Sequence, residues 1–219
     1  GRIDFMNKNK YIINLNLQDC IKNVIKNDII FIYIAITYPT SSHANILIID
    51  NKKNTIERFE PYGSINNKKN LELDELLNKK ISSILRSVNK KKYKYMKPYD
   101  YQNLYDFQHI SNEFYKYINE TKGFCVAWTF WYLEHKILNR NLDSKKLIQK
   151  LKNKIIKNKK LIIDIIRGYA EKLEQYKNKL VVKYGIKGSE IYKLNNSGKL
   201  KEKFYSNVLL DLLKLQKIN

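Results

Sequence analysis

Apolar residues recur along this chain with two different periods. Over 17–27, LQDCIKNVIKN, Cys20, Ile21, Val24 and Ile25 fall on one face of a short helix. The run Ile29–Tyr38, dense in isoleucine and aromatic residues, predicts a buried strand that Pro39 and two serines end. Ala44–Asp50 predicts a second strand, the polar tetrad Asn51-Lys52-Lys53-Asn54 a turn, and Thr55–Glu60 a third strand closed by Pro61-Tyr62-Gly63. Leu73, Leu76, Leu77, Ile81, Ile84 and Leu85 mark a helix over 71–87. The stretch VNKKKYKYMKPYDY has room for one more strand, and 111–119 favours neither period. Phe124–Leu138 predicts an aromatic-rich helix after Gly123. Asp143-Ser144 then caps a lysine-rich helix running to residue 160, and 161–182 is helical again. Three glycines make 185–200 a loop ahead of a last helix over 201–217. No segment repeats. This order predicts an α+β fold: a small mixed β-sheet packed against helices, with a helical C-terminal extension.

The hairpin carries candidate chemistry. A turn centred between Lys52 and Lys53 sets Asn45 opposite Glu60 and His43 opposite Tyr62, all on one face, because strand side chains alternate. His43 and Glu60 are then diagonal neighbours, within reach for a carboxylate to orient an imidazole. Glu57 pairs with Ile48 on the other face, and a slip of one residue would exchange the two acids. Glu60 is therefore the preferred acid, with Asn45 as an auxiliary partner. Taken singly, His43 reads as a turn histidine and Glu60 as a strand-end acid turned to solvent.

Cys125, in TKGFCVAWTFW, is placed at a helix N-terminus by the glycine before it and the apolar run after it. There the helix dipole and the unpaired N–H groups of the first turn favour thiolate, and the same N–H groups can supply half an oxyanion hole. The competing reading is a buried structural cysteine. Trp128, Trp131 and Tyr132, at helical spacing, read as core. His109 and His135 lack partners at metal-ligand spacing, and His135 suits the C-terminal end of the helix dipole.

HANILIID, FEPYG and GFCVAWTFWYLEH, in that order, resemble the motifs of one clan of cysteine peptidases, that of the adenoviral maturation protease and the SUMO-specific (ubiquitin-like-protein) proteases, in a branch found in large DNA viruses. The matched span runs from Ile29 to Asn139, and the 17-residue step from His43 to Glu60 is the clan's usual separation. Ala44 stands where the SUMO proteases usually carry Trp, and no glutamine lies six residues before Cys125. The resemblance implies a papain-like core over 6–140 and a basic helical extension over 141–219 packed on it. It implies Cys125 as nucleophile, His43 as base, Glu60 as its orienting acid, and Gln108 as the oxyanion glutamine, with Gln102 as the other candidate. It also implies cleavage of viral polyproteins or ubiquitin-like conjugates, after small residues such as Gly-Gly, with no cofactor. The host cytoplasm, the viral factory or the virion would be its location.

Composition changes this picture little. The chain has 219 residues, 43% hydrophobic, which suits one domain with an appendage. Residues 1–5, ahead of Met6, resemble a vector-derived leader outside the fold, with no signal peptide after it. Two cysteines exclude a disulfide framework and suit a reducing compartment. No apolar run is long enough for a membrane span. The formal charge is +21, with 42 basic against 21 acidic residues, nearly all of the excess lysine. Residues 144–160 alternate Leu147, Ile148, Leu151 and Ile155 with eight lysines, among them Lys150, Lys154 and Lys157. That face is either a solvated flank of a packed helix or a surface that steers an acidic substrate or nucleic acid. Two further functions fit the same residues. One is acetyl transfer of the bacterial YopJ type, whose effectors share the His, Glu, Gln, Cys layout. The other is a catalytically inactive basic virion protein that binds DNA.

Overall fold

The computed structural model describes residues 2–6, 10–14, 17–38, 41–64, 68–118, 124–157 and 162–183. Among these, six strands form one mixed sheet in the order β2-β1-β3-β4-β5-β6. They are β1 (Arg2–Met6), β2 (Lys10–Asn14), β3 (Ile29–Thr37), β4 (Ser42–Asp50), β5 (Thr55–Phe59) and β6 (Lys94–Met96). The helices are α1 (Leu17–Val24), α2 (Lys68–Asn89), α3 (Phe107–Ile118), α4 (Cys125–Leu138), α5 (Ser144–Lys157) and α6 (Ile162–Lys183). The α+β class is as expected. Two compact units are present, 1–166 and 167–219. Of the second, the described part is the helical stretch 167–183 of α6. The loop and last helix expected after 184 lie outside the described residues.

Period-two alternation on β3 buries Ile30, Ile32, Ile34 and Ile36. They join Leu47, Ile49 and Ile56 in a core with Leu17 and Ile21 of α1 and with Leu73, Leu77, Ile81 and Leu85 of α2. The four α2 residues repeat every four positions, so they form one row along the helix. Each such side chain taken out of water stabilises the fold by about 1.5–3 kcal/mol. The opposite face of β4 and β5 receives α4, where Phe59 stacks on Tyr132 at 3.9 Å. Cover on both faces explains why β4 is buried continuously from Ala44 to Asp50.

The β4–β5 register is the one parity predicts: Ile48 pairs with Glu57, and Ile46 with Phe59. The turn holds it there. Asp50 Oδ1 accepts the N–H groups of Lys52 (2.9 Å) and Lys53 (3.0 Å), and Asn54 adopts a left-handed φ of 50°. β6 fills the room found around Tyr95 and pairs parallel with β5.

Three sequence expectations change. Residues 2–5, expected outside the fold, form β1 together with Met6, between β2 and β3; Arg-Ile-Asp-Phe alternates polar and apolar residues, as a strand requires. The undecided stretch 111–119 lies largely in α3. The core unit ends at 166 rather than 140, because α5 buries Leu147, Ile148 and Leu151 in it.

After β5 the chain turns through Pro61, Tyr62 and Gly63 against residues 103–108. Ser64 N–H donates to Asn103 O, Asp106 N–H to Tyr62 O, and Gln108 N–H to Pro61 O. Gly63 has φ +109°, and a Cβ there would lie 2.7 Å from Leu104 O and 2.8 Å from Asn103 O and Asp106 N. All three are backbone atoms, so nothing can swing aside. Gly63→Ala is expected to destabilise the protein by about 2–3 kcal/mol. Urea unfolding measures this, and a midpoint equal to that of the natural protein would contradict the close packing.

Candidate active site

β4 delivers His43 and Asn45, and the chain just past β5 delivers Glu60. The last β4–β5 ladder pair is Ile46 with Phe59, so Glu60 sits where the two strands stop pairing. Its carboxylate is nevertheless fully engaged. Oε1 lies 2.5 Å from His43 Nε2 and accepts the Tyr62 N–H at 3.0 Å. Oε2 accepts Asn45 Nδ2 at 2.9 Å. Its backbone is clamped by one carboxamide: Gln102 Oε1 accepts the Glu60 N–H at 3.0 Å, and Gln102 Nε2 donates to Glu60 O at 2.8 Å.

Cys125 is the first residue of α4 and 9% exposed. α4 is tied to β4 beside His43: Thr129 Oγ1 bonds Cys125 O at 2.7 Å and approaches Ala44 O at 3.4 Å. The thiol hydrogen-bonds His43 and receives the N–H groups of Ala44 and Val126. Since Nε2 of His43 is held by Glu60, its Nδ1 is the nitrogen left for the sulfur.

The electrostatics follow from this chain of contacts. Burial pushes the Cys125 thiol up, but the hydrogen bond and charge of His43 and the two N–H groups outweigh it, and the thiol titrates below its ordinary value. Burial pushes His43 down; the Glu60 charge and the bonds to Cys125 and Glu60 reverse this and raise it to about 10. Burial pushes the Glu60 carboxyl up, and the charges of His43 and Arg58 with the Tyr62 N–H bring it below its ordinary value. Thiolate, imidazolium and carboxylate is the state this geometry favours. A thiolate beside an imidazolium is a nucleophile paired with a proton donor, as acyl transfer requires.

Arg58 and Asp74 had no part in the sequence expectations, and Tyr62 entered them only through its place opposite His43. Arg58, from β5, reaches Asn45, Glu60 and Asp74 of α2. Tyr62 sets its ring 5.2 Å from that of His43 and accepts Asn112 Nδ2 at its hydroxyl. The local signal for Arg58 was its parity: two residues before Glu60, it lies on the same face of β5.

The remaining predicted residues fall as follows. Glu57 faces away, bonding Tyr132 Oη at 2.5 Å, Lys136 Nζ at 2.8 Å and Ser144 Oγ. Trp128, Trp131 and Tyr132 are buried, as core. Gln102 spends its carboxamide on Glu60, so it is not free to hold an oxyanion. Gln108 lies buried in the first turn of α3, its Oε1 without a hydrogen-bond partner among the described residues. Lys150 and Lys154 are exposed on α5, while the side chains of Lys157 and Cys20 lie outside the described residues. α5 also does more than display charge: Lys152 pairs at 3.1 Å with buried Asp106, in the segment carrying Gln102 and Gln108. His135 packs edge-on against Trp131, and burial together with Lys154 lowers its pKa, so it does not serve as the dipole-complementing cation. Among the described residues no cluster of His, Cys, Asp and Glu could hold a metal, and no helix is long and apolar enough to cross a membrane.

Fold and site together define an α+β protein with a carboxylate–imidazole–thiol relay at the start of a buried helix. No family model matches the chain, and no solved structure matches it. The chain is similar to a protein of Acanthamoeba polyphaga mimivirus named, provisionally, as an ankyrin repeat protein: 35% identity over 160 residues, covering 67% of this chain and 21% of that protein. This chain thus spans about a fifth of the length of the curated relative it matches. The viral connection expected from the sequence is supported by that relative. Membership of the adenoviral and SUMO-specific protease clan is not: the similarity found is to a protein named for another architecture, and no protease family matches. That assignment is withdrawn, and with it the choice of Gln108 as oxyanion glutamine, which rested on the resemblance. The described elements are a sheet flanked by helices, and not the turn and paired helices of an ankyrin unit.

Proposed function

We propose that this chain is a thiol hydrolase acting on peptide or isopeptide bonds, a cysteine peptidase by chemistry. The observation that carries the reading is His43 held between Glu60, at 2.5 Å, and Cys125. In this mechanism the Cys125 thiolate attacks the scissile carbonyl carbon, and N–H groups of the first turn of α4, which have no partner within the helix, stabilise the oxyanion. The tetrahedral intermediate collapses, His43 gives its proton to the leaving amine, and a thioester remains on Cys125. His43, now neutral, takes a proton from water; the hydroxide attacks the thioester, releasing the acid and restoring the ion pair. Glu60 keeps the imidazole in one orientation throughout.

A protein chain is the proposed substrate. Val126, next to the nucleophile, is 41% exposed, giving the site an apolar edge open to a polypeptide. The exposed lysines of α5 would speed encounter with an acidic partner. A free thiol nucleophile suits a reducing compartment such as host cytoplasm or a viral factory.

The test is incubation with internally quenched peptides, with viral structural polyprotein, and with ubiquitin-like modifiers bearing a C-terminal fluorogenic amide. Cleavage that iodoacetamide abolishes is expected with at least one. Acetyl transfer from acetyl-coenzyme A, or DNA binding with a steep salt slope and no cleavage, would overturn the reading.

A further inference from the structure

A full positive charge lies beneath the site, and the mechanism above makes no use of it. The Arg58 guanidinium is 1% exposed, on the sheet face covered by α2. Its Nε and one terminal nitrogen make a forked pair with Asp74, at 2.7 and 2.9 Å. The other terminal nitrogen donates to Asn45 Oδ1 at 2.5 Å and lies 3.5 Å from Glu60 Oε2. Asp74 is fixed in turn by the Tyr95 hydroxyl at 2.9 Å.

These contacts determine which way Asn45 points. A carboxamide can present either its oxygen or its NH2 group in a given direction. Beside a guanidinium it must present oxygen, since two donors would repel. The NH2 group of Asn45 is thereby aimed at Glu60 Oε2. With Oε2 occupied, Oε1 is left for His43 Nε2. The charges also alternate without a break: Asp74 negative, Arg58 positive, Glu60 negative, His43 positive, Cys125 negative.

A buried ion pair contributes little to stability relative to apolar side chains of equal volume, because desolvation cancels most of the attraction. Stability therefore does not account for Arg58. We infer that Arg58, anchored to α2 by Asp74, is a positioning residue that acts through Asn45 and Glu60 to hold His43 in its working orientation against Cys125. A lysine cannot do the same work, because its single nitrogen cannot fork to Asp74 and reach Asn45 together.

This inference rests on the hydrolase reading, and one measurement separates the two. The rate of Cys125 carboxymethylation by iodoacetamide is followed against pH, with kcat and KM determined beside it. The natural protein should label fast well below the pH at which an ordinary thiol reacts; a profile like that of a free cysteine would overturn the hydrolase reading itself. The double variant Arg58→Met/Asp74→Leu removes both charges, so neither is left buried and alone. Its labelling profile is expected to move up by about one pH unit, on the order of tenfold in thiolate at fixed pH. Its kcat is expected to fall at least about tenfold with KM little changed, since an orienting contact acts on the chemical step. Arg58→Lys, which keeps the charge, should shift the profile in the same direction by less, and it serves as the readout if the double variant does not fold. A labelling profile that coincides with that of the natural protein in a folded variant would overturn the positioning role and leave the hydrolase reading intact.

Discussion

Cys125→Ala is expected to lower turnover of any peptide substrate by at least about 10⁴-fold, the scale on which loss of a nucleophile acts when base and orienting acid depend on it. Nothing remains to form the thioester, and the His43 imidazolium loses the thiolate it is paired with. The substitution removes one atom from the first turn of α4, where the helix is already fixed by Thr129 and by the stacking of Tyr132 on Phe59. Thermal stability should therefore hold. Labelling provides the second measure. Dilute iodoacetamide near neutral pH should modify Cys125 far faster than Cys20, because His43 and two N–H groups lower the thiol that Cys125 carries. Equal rates at the two cysteines, read by mass spectrometry, would remove the basis for calling Cys125 a nucleophile.

Glu60 and Glu57 should separate cleanly into an acid of the mechanism and an acid of the fold. Glu60→Gln is expected to reduce turnover by about 10²–10⁴-fold, the range seen when an orienting carboxylate loses its charge. Glu57→Gln should leave the chemical step nearly intact and destabilise the protein by about 3 kcal/mol, because Lys136 would lose its carboxylate in a largely buried site. A comparison of melting temperature with kcat for the two variants decides this. If Glu57→Gln proves the more damaging to kcat in folded protein, the assignment of the acid is wrong.

The pH dependence of stability has two limbs with opposite signs. Glu60 titrates below its ordinary value in the folded protein, so its contribution is present above that ordinary value and is lost as pH falls through the folded one. His43 is raised from 6.5 to about 10, so its contribution is present below about 6.5 and is lost as pH rises from there to about 10. Glu60→Gln should flatten both limbs, since the carboxylate is the chief charge that raises His43.

Much of the site is legible from local pattern alone. A four-residue polar turn between two apolar runs sets the β4–β5 register, and register sets parity. Parity brings His43, Asn45 and Glu60 to one side and sends Glu57 to the other. The glycine and aromatic run around Cys125 place it at a helix start. These features follow from periods of two and 3.6 residues, which short stretches of sequence carry in full. The tertiary structure decides what lies beyond them. Arg58 meets Asp74 across 16 residues, Gln102 clamps Glu60 across 42, and Thr129 approaches Ala44 across 85. Such pairs leave no periodic trace, because each depends on where whole elements pack. The same holds for Lys152, which looks like one more lysine on a solvated helix face until α5 docks and sets it beside Asp106. The sequence by itself therefore determines the strand faces and the helix start that carry the thiol, imidazole and carboxylate. Only packing of α2, α4 and α5 around the sheet decides which buried charges orient them, because a charge is stable in the interior only where the assembled fold supplies its partner.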